Sequence, residues 1–284
     1  MSANPLQSYF RQPKIYVNLP SKGKFYPLNA IEETETGEFP IFAMTASDEI
    51  SFKTPDALFN GQATVDVVQS CVPNIKNAWL MPTLDLDAIL IAIRIATYGE
   101  MMDINTKIPG TDEERTYQLD LRQTLDSIVF NNFEEQVTID DLVINIKPLT
   151  YKEFTQSALK TFEEQRIFSI VNNEDLTEEE KLSKFGKSFK KLTQLTIGMV
   201  SKSIVSIQTD NDLVQDPAHI DEFIKNADKK FYNKIVEHIE NQKEKFTIKP
   251  LEIECDQELI EKGAPESFTL PITFDQANFF GQGS

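Results

Sequence analysis

The sequence predicts an α+β fold: a mixed α/β N-terminal half, long amphipathic helices after it, and an extended C-terminal tail. Three observations carry this. Short β-prone runs alternate with capped helical segments up to residue 148. Near Thr150 the apolar period switches to helical and stays so. The charge is also uneven: residues 1–150 carry 11 basic and 21 acidic side chains, residues 151–250 carry 16 and 17, and residues 251–284 carry 1 and 7. Balanced charge suits the mixed-sign outer faces of long helices, so the acidic excess belongs to the flanks. The predicted division is 1–148, a mixed α+β domain; 149–248, a helical domain of three long helices; and 249–284, an extended acidic tail that completes the first domain or docks elsewhere.

In the first half, Ile15-Tyr16-Val17 and the run 39–44 read as strands bracketing a polar loop. Leu19-Pro20-Ser21-Lys22-Gly23 reads as a turn, with Gly23 free to take a positive φ. Thr45 caps a helix that has Asp48 three residues on, and Thr54-Pro55 repeats the cap signal for a short helix ended by Asn60-Gly61. Residues 63–71 read as a helix stopped by Pro73. The segment 85–97 is apolar almost all round, which predicts a helix surrounded by protein and closed by Tyr98-Gly99. Arg94 inside it is expected to snorkel or to meet a carboxylate, because an unpaired buried charge is too costly. Strands are expected at 116–121, 136–139 and 142–146.

A first long helix carries Tyr151, Phe154, Ala158 and Phe162 on one face and runs to about Val171. Thr177-Glu178-Glu179-Glu180 is a capping box opening a second, with Leu182, Phe185, Phe189, Leu192, Met199 and Ile207 near heptad spacing. Asp216-Pro217 starts a third, striped by Ile220, Phe223, Ala227, Phe231, Ile235 and Ile239. The stripes read as core of an antiparallel bundle, or as arms that pack on a partner. In the tail, Leu270, Ile272 and Phe274 alternate as in a half-buried strand. The adjacent Phe279 and Phe280 are the partner-binding candidates; the competing expectation is that they fold back onto this chain.

Several function classes are excluded. With a net charge of −17 and a pI near 4.6, no nucleic acid partner is expected. The longest apolar run, 88–93, is far short of the about 20 residues of a membrane span, and the first residues have no signal-peptide pattern. Cys71 and Cys255 are too distant in sequence for a disulfide framework, which points to a reducing compartment. His219 and His238 have no zinc-ligand spacing, so no metal is expected. Asp85-Leu86-Asp87 reads as carboxylates favouring a helix N-terminus rather than a metal-binding pair. Phosphate-loop, Gly-x-Ser-x-Gly and His-Glu-x-x-His patterns are all missing. No catalytic residue, cofactor or enzymatic activity is expected.

One ordered set of segments carries a resemblance. Leu19-Pro20-Ser21-Lys22-Gly23-Lys24-Phe25-Tyr26 is followed by Met44-Thr45-Ala46-Ser47-Asp48-Glu49, Lys53-Thr54-Pro55-Asp56-Ala57-Leu58, Asn60-Gly61 and Ser70-Cys71-Val72-Pro73. The set closes with Asp87-Ala88-Ile89-Leu90-Ile91-Ala92-Ile93-Arg94-Ile95-Ala96-Thr97-Tyr98-Gly99. In this order and spacing, over residues 15–100, the chain resembles the baseplate hub subunit family of T-even-type contractile-tailed bacteriophages. The closing segment 272–280 is similar to that family's endings. The resemblance implies a structural or assembly protein of the baseplate hub that acts through contacts with other baseplate or hub proteins. Two alternatives are a transient assembly chaperone and a tail-associated enzyme. It also implies residence in the host cell cytoplasm during assembly and in the virion tail baseplate. Relatives carry a zinc-ribbon-like Cys-Pro-x-Cys where this chain reads Ile108-Pro109-Gly110-Thr111, so that region is expected to be held by turns and packing.

Overall fold

The computed structural model describes residue 6 and residues 9–52, 61–170 and 177–272. The expected helix at Thr54-Pro55, Asn60, and the pair Phe279 and Phe280 lie outside the described residues. The protein is α+β. Strands β1 (Pro13–Asn18) and β2 (Glu38–Phe42) pair antiparallel with Val17 opposite Phe39, and both side chains turn into the core. The turn between them follows Leu19, with Lys22 and Gly23 both at positive φ. Helix α1 (Ala46–Phe52) opens on a reciprocal cap: Asp48 accepts from the Thr45 amide at 2.7 Å and returns its own amide to Thr45 Oγ1 at 3.2 Å. Helix α2 (Gln62–Cys71) begins at Gly61, whose φ of 80° suits glycine.

Helix α3 (Leu86–Tyr98) is buried on all sides, as its composition requires, and Gly99 ends it at φ 96°. It forms the centre of the first core, with β1, β2, α1 and α2 packed round it. Arg94 is buried within it rather than snorkelling to solvent. Its guanidinium lies over the Tyr98 ring, 4.5 Å from the centroid, and the Tyr98 hydroxyl donates to Glu49 at 3.0 Å. Two further elements complete this half: the hairpin β3 (Met101–Lys107) and β4 (Glu114–Asp120), then helix α4 (Leu121–Val129) capped by Asp120. Neither β3 nor α4 is expected from sequence.

The second core corrects the expectation for 149–248. Strands β5 (Gln136–Ile139) and β6 (Leu142–Ile146) lead to helices α5 (Tyr151–Ile170) and α6 (Glu178–Ser203). The chain then returns as strands β7 (Ile204–Gln208) and β8 (Leu213–Val214), giving an antiparallel sheet ordered β5-β6-β7-β8. Ile207 therefore sits opposite Ile144 in a sheet rather than on a helical stripe. The cause is local: β-branched Ile204, Val205 and Ile207 favour extended backbone, and Ile204 enters it at ψ 126°.

The expected third helix is two, α7 (Pro217–Asn226) and α8 (Lys229–Glu244). Asp228 breaks it by accepting the amides of Lys230 and Phe231, starting α8 afresh. Phe223 and Phe231 still meet across the break, ring centroids 5.4 Å apart. Ile139, Ile144 and Ile146 belong to the same core as Ile204, Ile220 and Ile235, so the 148/149 division falls inside this core.

The C-terminal part is not simply extended. Strands β9 (Leu251–Glu254) and β10 (Ser267–Leu270) form a hairpin enclosing the short helix α9 (Gln257–Glu261). This hairpin packs on the β3–β4 tip through Ile108, Leu259 and Ala264, with Tyr117, Cys255 and Phe268 alongside. Lys262 bridges Glu113 and Glu258 at 2.6 and 2.7 Å, and Arg115 reaches Asp256 at 2.8 Å. The region that departs from the zinc-ribbon pattern is thus joined by packing and ion pairs. Its tightest point is glycine on glycine: a Cβ on Gly110, at φ +80°, would stand 2.2 Å from the Gly263 carbonyl oxygen. Gly110→Ala is expected to destabilise by about 2–4 kcal/mol and to release the C-terminal hairpin to proteases. An unchanged melting temperature with undiminished protease resistance would contradict this.

Candidate protein interface

Helices α5 and α6 form an arm whose root is well fixed. Thr150 and Glu153 cap each other, the Tyr151 amide donates to Met81 O at 2.8 Å, and the Tyr151 ring stacks on Trp79 at 5.6 Å. At the other end of the arm's root, Val200 enters the second core and Lys147 N donates to Ser203 O at 2.8 Å. Thr177 and Glu180 form the expected capping box at the start of α6. Along the arm, Lys191 bonds Glu164 at 2.8 Å, holding that carboxyl below its usual range, and Ser188 is buried beside it.

The first half of α6 departs from the expectation that its stripe is core. Leu182, Phe185 and Phe189 are 74%, 41% and 61% exposed. At 3.6 residues per turn these three fall within roughly 60° of one another on the helix surface. Phe154 and Phe162 on α5 are exposed as well. Residues 181–202 also contain six lysines and no acid, within a chain of net charge −17. Lys184, Lys187, Lys190 and Lys191 are exposed. At the same 3.6 residues per turn these lysines fall on the opposite side of α6, so the helix presents an apolar stripe on one face and cations on the other, on an otherwise acidic molecule.

A second constellation is internal. Asp85, fully buried, accepts from the Ser21 amide at 2.7 Å, the Ser21 hydroxyl at 2.6 Å and the Tyr26 hydroxyl at 2.9 Å. Burial pushes its carboxyl up to about 7, against the lowering effect of these three donors. The same burial, then the nearby Asp85 charge, pushes the Tyr26 hydroxyl well up. Asp85 therefore does not act as the expected charge at a helix N-terminus; it ties the 19–26 turn to the start of α3. From that turn Lys22 reaches Asn132 at 2.8 Å and Lys24 reaches Glu135 at 3.1 Å, next to β5. Nothing in the spacing could reveal this, since Ser21 and Asp85 are 64 positions apart.

The remaining candidates are placed plainly. Arg11 gathers the Ala43 and Ser70 carbonyls, the Ser70 hydroxyl, Asp48 and, at 3.7 Å, Cys71 Sγ. Burial pushes the Cys71 thiol up to about 12, making it inert at neutral pH. His238 Nε2 lies 3.1 Å from Glu134 O. Among the described residues, no group of three or more His, Cys, Asp or Glu is placed to hold a metal ion, and no helix is long and apolar enough to cross a membrane.

A cleft of about 340 Å³ opens between the two cores, lined by Leu84, Phe133, Ile146, Met199, Val236 and Phe246. Asp87 stands in it, its carboxyl pushed up to about 6 by burial against the lowering effect of the Ile248 amide and Lys243. No curated protein matches the sequence and no solved structure matches the fold. The family described as T4 bacteriophage base plate protein matches residues 12–268, spanning both cores, the arm and most of the C-terminal hairpin. The chain belongs to the T4 bacteriophage base plate protein family.

Proposed function

We propose that the protein is a non-enzymatic structural or assembly component of the baseplate hub of a contractile-tailed phage, working through contacts with other baseplate proteins. The observation that carries this reading is the arm. Leu182, Phe185 and Phe189 are exposed on one face of α6 and lysines on the other, in an arm rooted in the first core through Tyr151 and in the second through Val200. Its partner is a protein surface with an apolar patch for the stripe and acidic groups that reach the lysine face, because aromatic anchors supply binding energy and charge supplies register and on-rate. The protein meets it in the host cytoplasm during assembly and stays with it in the tail baseplate. A transient chaperone would use the same surface but be missing from purified particles, which mass spectrometry of particles decides.

Two sets of substitutions test the reading: Leu182→Ser with Phe189→Ser, and Lys184→Glu with Lys187→Glu and Lys190→Glu. Each is expected to weaken co-assembly with the other baseplate proteins by at least about tenfold while leaving the melting temperature in place. Undiminished co-assembly by both would overturn the proposal. Asp87 is the one observation that favours a tail-associated enzyme, being a carboxyl with a raised pKa in a cleft. Asp87→Asn separates the two readings: hydrolase activity that disappears in this variant would establish the enzyme, whereas unchanged assembly without such activity supports the structural role.

A further inference from the structure

We infer that the exposed stripe of α6 and the cleft between the two cores form one continuous seam that seats a single acidic, amphipathic α-helix of a partner protein. The inference rests on the reading of the arm as a partner surface and adds the shape and charge of what covers it. Leu182, Phe185, Phe189, Leu192, Thr196 and Met199 follow one another at alternating intervals of three and four residues, the spacing of a coiled-coil seam. Leu182, Phe189, Thr196 and Val200 fall within roughly 40° of one another on the helix surface. Leu182 and Phe189 are the exposed end of this line, and Thr196, Met199 and Val200 line the cleft of about 340 Å³ at its other end. Phe154 of α5 lines the same cleft, so both helices of the arm contribute to this side. Where α5 bonds to α6 it uses a different side. Ser188, which is buried, and Lys191, which bonds Glu164, stand roughly 100° and 160° from Phe189.

The seam selects the form of its occupant. From Leu182 to Val200 is about 27 Å, or roughly five helical turns. Two helices offer no strand edge, so an extended segment laid on them would leave its amides and carbonyls unpaired, whereas a helix pairs its own. Thr193 and Thr196 donate their hydroxyls to the Phe189 and Leu192 carbonyls of α6 itself, at 3.0 and 3.1 Å, and so place no polar demand on an apolar neighbour. Gly186 lies roughly 40° from Leu182 on the same side. A Cβ there would meet nothing within 4 Å among the described residues. Glycine weakens a helix interior, and its use at such a position is the close approach of another backbone. Charge narrows the choice further. The six lysines in residues 181–202, with no acid among them, lie across a helix about 10 Å wide, within about one Debye length of the seam. This favours an acidic helix. It disfavours a second copy of the arm, which would set six lysines against six and join two chains of net charge −17.

The test uses the full chain and a synthetic three-heptad peptide with leucine at the first and fourth position of each heptad and glutamate at the fifth and seventh. The peptide is expected to bind one per chain and to gain helix on binding, read by circular dichroism. A counterpart with lysine in place of glutamate is expected to bind at least about tenfold more weakly. Gly186→Gln fills the close-approach position, and Thr196→Glu places a charge at the mouth of the cleft. Each is expected to weaken binding by at least about tenfold. Gly186→Gln should meanwhile hold or raise the melting temperature of the free chain, since glutamine is the better helix former, which separates lost binding from lost folding. Absence of binding, equal binding of the two peptides, or binding that either variant leaves unchanged would overturn the inference. So would self-association of the chain that Leu182→Ser with Phe189→Ser abolishes, which would assign the stripe to a second copy. The arm itself is judged separately. Co-assembly with the other baseplate proteins that is lost in Leu182→Ser with Phe189→Ser, but kept in Gly186→Gln and Thr196→Glu, would retain the partner surface and overturn the helical seam.

Discussion

Replacing Asp85 with alanine is expected to lower the unfolding free energy by about 3–5 kcal/mol, because three donors converging on one buried carboxylate lose their acceptor together. The Ser21 amide cannot reorient, and the turn it belongs to holds Lys22 and Lys24 against the chain just before β5. Denaturant unfolding measures the loss; a change below about 1 kcal/mol would contradict the role given to this group. Asp85→Asn keeps the shape and an acceptor, and is expected to cost less. It also isolates a pH effect. The folded carboxyl titrates at about 7, above its ordinary value of 3.8, so between these values the folded state holds a proton that the unfolded state has released. That contribution is fully present below the lower value and is lost as pH rises through 7, a difference of about 4 kcal/mol across the window. Asp87, raised to about 6, acts in the same direction, so the readout is the difference between the unaltered protein and Asp85→Asn as pH changes.

Truncating two phenylalanines of the same chemistry is expected to separate core from surface. Phe52 is 2% exposed in the first core, and Phe52→Ala should destabilise by about 3–5 kcal/mol through lost transfer energy and the cavity left behind. Phe189→Ala removes the same atoms from a side chain already in solvent and is expected to move stability by no more than about 0.5 kcal/mol. A comparable loss from Phe189→Ala would mean that the stripe on α6 stabilises this chain by itself and is not held for a partner.

The elements legible in the sequence were those with local causes. The caps at Thr45 and Thr177, the glycine at 99 and the all-round apolar 85–97 segment each depend on neighbours within a turn or two, and each recurs in the structure. Strand β3 has no clear sequence signal because Met101–Lys107 is polar, with exposed and half-buried residues alternating and no strongly buried face. Ile207 fits both a helical stripe and a strand face, because the two coincide in a short apolar run, and pairing with β6 decides for the strand. The single third helix failed at Asp228, a cap within a continuous stripe. The candidate surface was visible only as a pattern: Leu182, Phe185 and Phe189 have core spacing, and only their exposure in the folded chain marks them as a face for another molecule. The Asp85 tie had no sequence signal.

The central claim is that the apolar stripe of the arm is exposed in the free protein and covered in the baseplate. Hydroxyl-radical footprinting of Phe185 and Phe189, read by mass spectrometry in the free chain and in assembled baseplates, measures this directly. The account predicts strong labelling of both rings in the free protein and near-complete protection on assembly, with Phe52 protected in both. Equal labelling of Phe185 and Phe189 in the two states would contradict it.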